Sequence, residues 1–450
     1  MRTAPRFAAD ARQVFHVAVG SLALLLPFAV WWEAAVLVGV VLTCTLYVLP
    51  RAAPGVYRES ERRRRYLSGV ALHPLSVLLL IVLLPDRRDI VSAAWGILAF
   101  GDGAATLVGS RAGGRRLPWN PSKSLAGTVA FVAAGSAAGV ALCWWCRPVI
   151  VPPPYVWLSL AGPLLAALAA AAVETMPIGL DDNISVPATA AAILWWLSLF
   201  SGDALAVLDH AVVVHLLIAV GVNAAAAGAG FAARALTPGG AIGGALLGAA
   251  ILLTAGWSGW MVLMATFAMA VVTSRLGARR KERLGIAEER GGRRAAANAF
   301  ANTGVAAAAA VLSAASYATQ PALIGFVAAL AAGGSDTMAS EVGKAYGGRV
   351  FLFPTFRRVA PGTPGGISSI GTLAGLVGAL VLSALGAASG LILPNALLPV
   401  VAGATIGAFA ESALAASLEG PGILNNDVLN FLNTATAAAT AVLIAKSLQG

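Results

Sequence analysis

Two short stretches carry aspartate where an apolar chain has little use for it. In FGDGAATLVGSRAGGRRLPWNPSKSLAGT (100–128), Asp102 stands between Gly101 and Gly103 and is followed by Arg111, Gly113, Gly114, Arg115, Arg116 and Lys123. In GGSDTMASEVGK (333–344), Asp336 has a similar setting, with Glu341 and Lys344 behind it. A charged side chain at the centre of a spanning helix costs about 2.5–3.5 kcal/mol on insertion scales, so such acids face polar cavities and mark function. Asp181 and Asp182, Glu411 and Asp427 belong to the same set. Magnesium on a nucleotide is held by one or two carboxylates together with phosphate oxygens, and the Asp-Asp-Asn at 181–183 can supply such ligands. Paired glycines let backbone approach a phosphate, and arginine and lysine offer the positive charge that phosphoryl transfer needs. Lys123 directly precedes Ser124 at the head of an apolar run, so its ammonium and the first amides of that helix can face one anion together. The pattern is that of a phosphate-handling site.

The elements that must position these residues are membrane helices. Of 450 residues, 58% are hydrophobic and 11% charged, far from the roughly 25% charge of a soluble domain. The fold class expected is an all-α polytopic membrane protein with roughly fourteen or fifteen spans. They run from one centred near residue 24 to one near 436, with separate spans near 247 and 266. The net charge of +10 concentrates in RESERRRRY (58–66) and SRLGARRKERLGIAEERGGRR (274–294), and such runs are cytoplasmic by the positive-inside rule. With the N-terminus inside, alternation places segments near 110–123, 174–185, 344–365 and 418–427 on the cytoplasmic face, and these are the segments that look chemical. Cys143 and Cys146 lack a second Cys or His pair, which argues against a metal centre there. His16 is the one histidine placed near a helix start beside these motifs.

The chain divides near residues 210–220 into parts of the same order. Gly-Asp-Gly leads to Gly109, a basic loop, KSLAGT and ETMPIGLDDN; Ser-Asp-Thr leads to Gly343, a basic loop, GGISSIGTLAG and ESALAASLEGPGILNND. The interval from aspartate to glycine is seven in both, whereas the later spacings differ. Two domains are expected, 1–210 and 211–450, as related modules or as convergent small-residue helices. No GxxxxGK[ST], HRD, DFG or GxGxxG set is present, which excludes a soluble-type nucleotide fold.

FGDGAATLVGSRAGGRRLPWNPSKSLAGTVAF with LDDNISVP and the early RQVFHVAVG resembles the integral-membrane CTP-dependent lipid kinases, such as dolichol and phytol kinases. TPGGAIGGALLG (237–248), NAFANTG (298–304), GGSDTMASEVGK, PGTPGGISSIGTLAG (361–375) and NNDVLNFLNT (425–434) resemble the phytyl-phosphate kinases. Glu411 stands where that family is expected to carry aspartate. The resemblance implies a fusion of two sequential kinases, with CTP as donor and Mg²⁺ as cofactor. The expected partners are the bilayer, an isoprenoid alcohol, its monophosphate and a nucleotide, with no nucleic acid among them.

On this reading the catalytic residues are Asp102, Asp182 and Asp336, and the metal ligands come from Asp102, Asp181, Asp182, Asp336, Glu341 and Asp427. Nucleotide contacts are expected in the first half from Gly101, Gly103, Arg111, Lys123, Ser124, Gly127 and Asn183. In the second half they are expected from Lys344, Arg358, Gly365, Gly366 and Ser368. The first reaction needs a base to activate a hydroxyl. A phosphate monoester, largely ionised at neutral pH, needs cations to offset repulsion between two anions, and Lys344, Arg349, Arg357 and Arg358 are candidates. Two other chemistries fit part of the pattern. Cytidylyl transfer to a lipid phosphate would release pyrophosphate rather than CDP, and a secondary transporter would consume no nucleotide. The expected location is a membrane, the plasma membrane in a bacterium, with sites at its cytoplasmic face.

Overall fold

The structure, a computed structural model, describes residues 4–53, 57, 68–111, 115–202, 211–286 and 292–448, without the side chains of 4–12 and 211–212. Gly113, Gly114 and the arginine run at 62–65 fall outside these residues. The chain forms two compact units, Met1–Leu199 and Phe200–Gly450.

In the first unit the helices are α1 (Ala4–Ser21), α2 (Trp31–Thr43), α3 (Gly69–Leu83), α4 (Arg88–Gly96) and α5 (Gly103–Arg111). The short antiparallel strands β1 (Arg116–Leu117) and β2 (Asn120–Ser124) come next. The unit closes with α6 (Leu125–Cys146), α7 (Val156–Thr175) and α8 (Asp182–Ser198). Helices α4 and α5 belong to one continuous span, Arg88–Arg111, joined by a π-turn at Ile97–Asp102. Such turns insert an extra residue into the hydrogen-bond ladder and recur at functional sites; this one ends on Asp102. Trp95, Leu98, Phe131 and Leu194 are fully buried where α4, α6 and α8 meet.

The second unit contains α9 (Ala211–Ala232), α10 (Pro238–Arg275), α11 (Ala278–Arg283), α12 (Ala296–Ala315) and α13 (Thr319–Tyr346). A three-stranded sheet follows, β3 (Val350–Leu352), β4 (Arg357–Val359) and β5 (Gly366–Ile367), with β3 central. Then come α14 (Ser369–Ala388), α15 (Leu397–Leu414) and α16 (Asn426–Ser447). Central to this unit is α13, whose stretch from Ile324 to Ser335 is buried throughout. Lipid gives helices little hydrophobic reason to associate, so small residues that allow close backbone approach drive packing. A Cβ added at Gly403 would stand 2.5 Å from the Ala437 carbonyl oxygen, and α15 lies on α16 through this contact.

The protein is thus an all-α polytopic membrane chain. Among the described residues, 11 helices are long and apolar enough to cross a membrane, and the segments Gln13–Phe28 and Gly69–Leu83 are shorter apolar helices. The count expected from sequence was higher, in part because two adjoining helices run on as one element among these 11. The separate runs expected near 247 and 266 are the two helical segments of α10 on either side of Gly256, whose φ 65°, ψ −166° is non-helical and closed to residues with a side chain.

Candidate functional site

In the first unit, a cavity of about 420 Å³ opens between the Asp102 turn, β2, the end of α7 and the start of α8. Its polar lining comes from Gln13, Asp102, Thr106, Asn120, Ser122, Lys123, Glu174, Asp181, Asp182 and Asn183. Lys123 reaches in from β2, and its Nζ donates to Glu174 at 2.7 Å and to Asp182 at 2.8 Å. Glu174 is only 3% exposed and sits at the C-terminal end of α7, where the helix dipole disfavours an anion. Lys123 compensates it. Burial pulls the pKa of this ammonium down, and the charges of Glu174 and Asp182 more than offset that, so it stands above its ordinary value. An ammonium carries three donors; the carboxylates take two, and the third N–H is the one a phosphate oxygen can accept from.

Asp181 caps α8, accepting from the Asn183 backbone N–H at 2.9 Å and from its Nδ2 at 2.7 Å. Asn120 Nδ2 donates to the Thr175 carbonyl at 3.1 Å and ties β2 to the end of α7. Two buried acceptors, Gln13 Oε1 and Asn183 Oδ1, have no protein donor. Buried polar atoms are ordinarily satisfied, so a donor from a bound molecule fits here.

Two glycines of the first motif serve packing. A Cβ on Gly101 would meet the Phe131 ring at 3.1 Å, and one on Gly127 would meet the Ala105 carbonyl at 3.0 Å. Gly103 faces Val17 and Gln13. Ser124 caps α6 by accepting from the Gly127 N–H at 3.1 Å. Arg111 ends α5, exposed and outside the cavity lining.

A second cavity, about 360 Å³, lies in the second unit between α13, the 361–368 loop, α14 and α15. Asp336, Lys344, Glu411, Glu419 and Asn426 line it together with Gly365, Gly366 and Ser368. Asp336 and Glu411 are neighbouring acids of this lining, and Glu411 accepts from Asn433 Nδ2 at 2.9 Å. Two adjacent carboxylates repel, and a divalent cation between them can offset that. Glu341 is 1% exposed and engaged on both oxygens, by Lys281 at 2.6 Å and Lys344 at 3.1 Å. Arg294 contributes positive charge at Asp336. Gly365, at φ 73°, runs so close to α15 that a Cβ would lie 2.4 Å from the Ser412 carbonyl oxygen. Arg358 is exposed on β4, and neither it nor Asp427, in the first turn of α16, belongs to the cavity lining.

The corner between aspartate helix and capped helix is built alike in both units. A Cβ at Gly109 would meet Ser124 Oγ at 3.1 Å and Gly127 Cα at 3.6 Å; at Gly343 the same distances lead to Ser368 Oγ and Gly371 Cα. Ser368 caps α14 as Ser124 caps α6, accepting from the Gly371 N–H at 3.2 Å.

Among the described residues, no three His, Cys, Asp or Glu side chains cluster as a metal centre. Magnesium that arrives with a nucleotide needs fewer protein ligands, and the hard oxygens of Asp102 and Asp182, or of Asp336 and Glu411, suit it. Sequence reasoning did not single out Glu174, Gln13, Lys281 or Arg294. Glu174 lay within the ETMPIGLDDN motif; Lys281 and Arg294 were hidden in a basic run read as orientation.

Residues 221–438 match the family model described as integral membrane protein DUF92. An uncharacterized membrane protein of Synechocystis sp. is 37% identical over 48% of this chain and 85% of its own length. Protein VTE6, chloroplastic, of Arabidopsis thaliana is 34% identical over 44% of this chain and 62% of its own length. A protein of Glycine max named probable phytol kinase 3, chloroplastic, is 34% identical over 28% of this chain and 40% of its own length. No solved structure matches the chain.

Proposed function

We propose that this chain, which belongs to the integral membrane protein DUF92 family, is an isoprenoid kinase with two sites, one in each unit. The first unit phosphorylates an isoprenoid alcohol such as phytol or geranylgeraniol, and the second extends the monophosphate to the diphosphate, in isoprenoid salvage. The relative named a probable phytol kinase supports an isoprenoid alcohol as substrate. The observation that supports the division of labour is the pair of unsatisfied acceptors in the first cavity; in charge the two cavities are alike, several acids around one lysine.

The first cavity sets Asp102, Glu174, Asp181 and Asp182 around Lys123, as the second sets Asp336, Glu411 and Glu419 around Lys344, and it also holds two unsatisfied acceptors. That suits a neutral hydroxyl, which donates to such acceptors and must lose its proton. The alcohol oxygen attacks the γ-phosphorus, the bond to the nucleoside diphosphate breaks, and Asp102 receives the proton. Lys123 holds the transferring phosphoryl group through its third N–H. In the second cavity, Lys344 stands beside the glycine-rich loop. A phosphate monoester oxygen attacks there, a P–O–P link forms and the nucleoside diphosphate leaves. No base is required, and Lys344 offsets the repulsion between the two anions. Asp102 with Asp182, and Asp336 with Glu411, would hold Mg²⁺, which would supply neutralisation of the nucleotide's phosphate charge. The donor proposed is CTP, and the sites are proposed to face the cytoplasm.

The test uses the full chain in detergent with Mg²⁺ and γ-labelled CTP, ATP, GTP or UTP, offering phytol, geranylgeraniol or longer polyprenols. Label in the lipid with release of nucleoside diphosphate supports the reading. Pyrophosphate release instead would turn it to cytidylyl transfer, and no consumption of any nucleotide would turn it to transport.

A further inference from the structure

Lys281 is 2% exposed, the most completely buried charged side chain of the basic 274–294 run among its described residues. Its neighbours on α11, Arg279, Arg280, Glu282 and Arg283, are exposed. A helix that served only to present positive charge to headgroups would have no reason to bury one lysine of the set. Lys281 instead donates to the Ser274 carbonyl at 2.7 Å and to Glu341 Oε2 at 2.6 Å. The other oxygen of Glu341 accepts from Lys344 at 3.1 Å, and Lys344 lines the second cavity.

The segment around α11 also touches both sides of that cavity. At its start, a Cβ on Gly277 would stand 2.6 Å from Ala345 Cβ, next in sequence to Lys344. At its end, Ile286 lies under the 361–368 loop, where a Cβ on Gly362 would come within 2.7 Å of its Cγ2. One short segment therefore braces the end of α13 and the loop opposite it, with the Lys281–Glu341 pair between.

We propose that Lys281 is a positioning residue for the second cavity. Through Glu341 it fixes the Lys344 ammonium at the glycine-rich loop, where that ammonium receives the phosphate of a lipid monophosphate. Two donors of Lys344 remain for phosphate oxygens once Glu341 has taken one. Without Lys281, Glu341 would draw Lys344 back into a tight pair and away from the ligand. The inference rests on the two-site kinase reading and names the device that shapes its second site.

Removing one member of a buried ion pair leaves an uncompensated charge, whereas replacing both by apolar residues of similar size is often neutral or stabilising. The decisive variant is therefore Lys281→Met with Glu341→Leu in the full chain, assayed with geranylgeranyl monophosphate and γ-labelled CTP. Phosphorylation of geranylgeraniol by the first unit serves as internal control. The expected result is a KM for the monophosphate raised ~10-fold, with a smaller change in kcat and the alcohol step intact. In a Lys344→Met background the same pair of substitutions should add nothing, because the residue they act through is gone. Glu341→Gln, which offers the two lysines one acceptor oxygen in place of two and carries no charge, provides a second route if the double variant does not fold, and should raise the same KM. Wild-type KM in a folded double variant, or in Glu341→Gln, overturns the inference. A wild-type chain that phosphorylates neither lipid sinks the kinase reading and the inference with it.

Discussion

Replacing Lys123 with methionine probes how the first cavity is held together. The substitution leaves Glu174, 3% exposed, without its partner at 2.7 Å, and Asp182 without its partner at 2.8 Å. Breaking a buried pair from one side costs about 3–5 kcal/mol. Lys123 itself is 26% exposed, so water recovers part of this and about 2–3 kcal/mol is expected. For a unit of this size that is a fall in Tm of roughly 5–10 °C. Thermal unfolding followed by tryptophan fluorescence in detergent measures it. Lys123→Met with Glu174→Met removes the stranded acid as well and should recover at least half of the loss. A single variant within about 2 °C of wild type, or a double variant less stable than the single, would refute the claim that Lys123 is held in place by compensating a buried carboxylate.

Asp102 adds negative charge at Glu174 and Asp182, so Asp102→Asn should leave Tm unchanged or raised while alcohol phosphorylation falls by at least ~100-fold; a variant that unfolds instead would give Asp102 a structural role. Gly371→Ala places a Cβ 2.6 Å from the Ala339 carbonyl oxygen and should cost about 1–3 kcal/mol. Gly244→Ala, with nothing within 4 Å, should be neutral or stabilising by up to about 1 kcal/mol. Thermal melts of the two variants side by side check this, and equal effects would contradict the close packing of α13 on α14.

The spans were legible because apolar length is the strongest signal a membrane chain emits. The break at Gly256 was legible too, as the boundary between the apolar runs near 247 and 266. The strands in the loops were not. Arg116–Leu117 and Val350–Leu352 form strands too short for any alternation to announce them. Asp102, Asp182, Lys123, Asp336, Lys344 and Ser368 were visible because charge and capping residues stand out against alanine and leucine, and each of them belongs to a cavity wall. Partners were harder to read. Glu174 meets Lys123 across 51 positions of sequence and Lys281 meets Glu341 across 60, distances over which local pattern carries no information. Glycines flanking Asp102 suggested phosphate approach, yet Gly101 lets the Phe131 ring of α6 lie against the Asp102 turn while Gly103 faces Val17 and Gln13 of α1, a difference that composition alone cannot show.

The most direct test of two sites in one chain follows labelled phosphate from γ-labelled CTP into geranylgeraniol in three proteins, wild type, Asp102→Asn and Asp336→Asn. Wild type is expected to form diphosphate. Asp102→Asn should fail on the alcohol but still convert supplied monophosphate, whereas Asp336→Asn should stop at monophosphate. Loss of both steps in either variant, with the protein still folded, would contradict two separate sites.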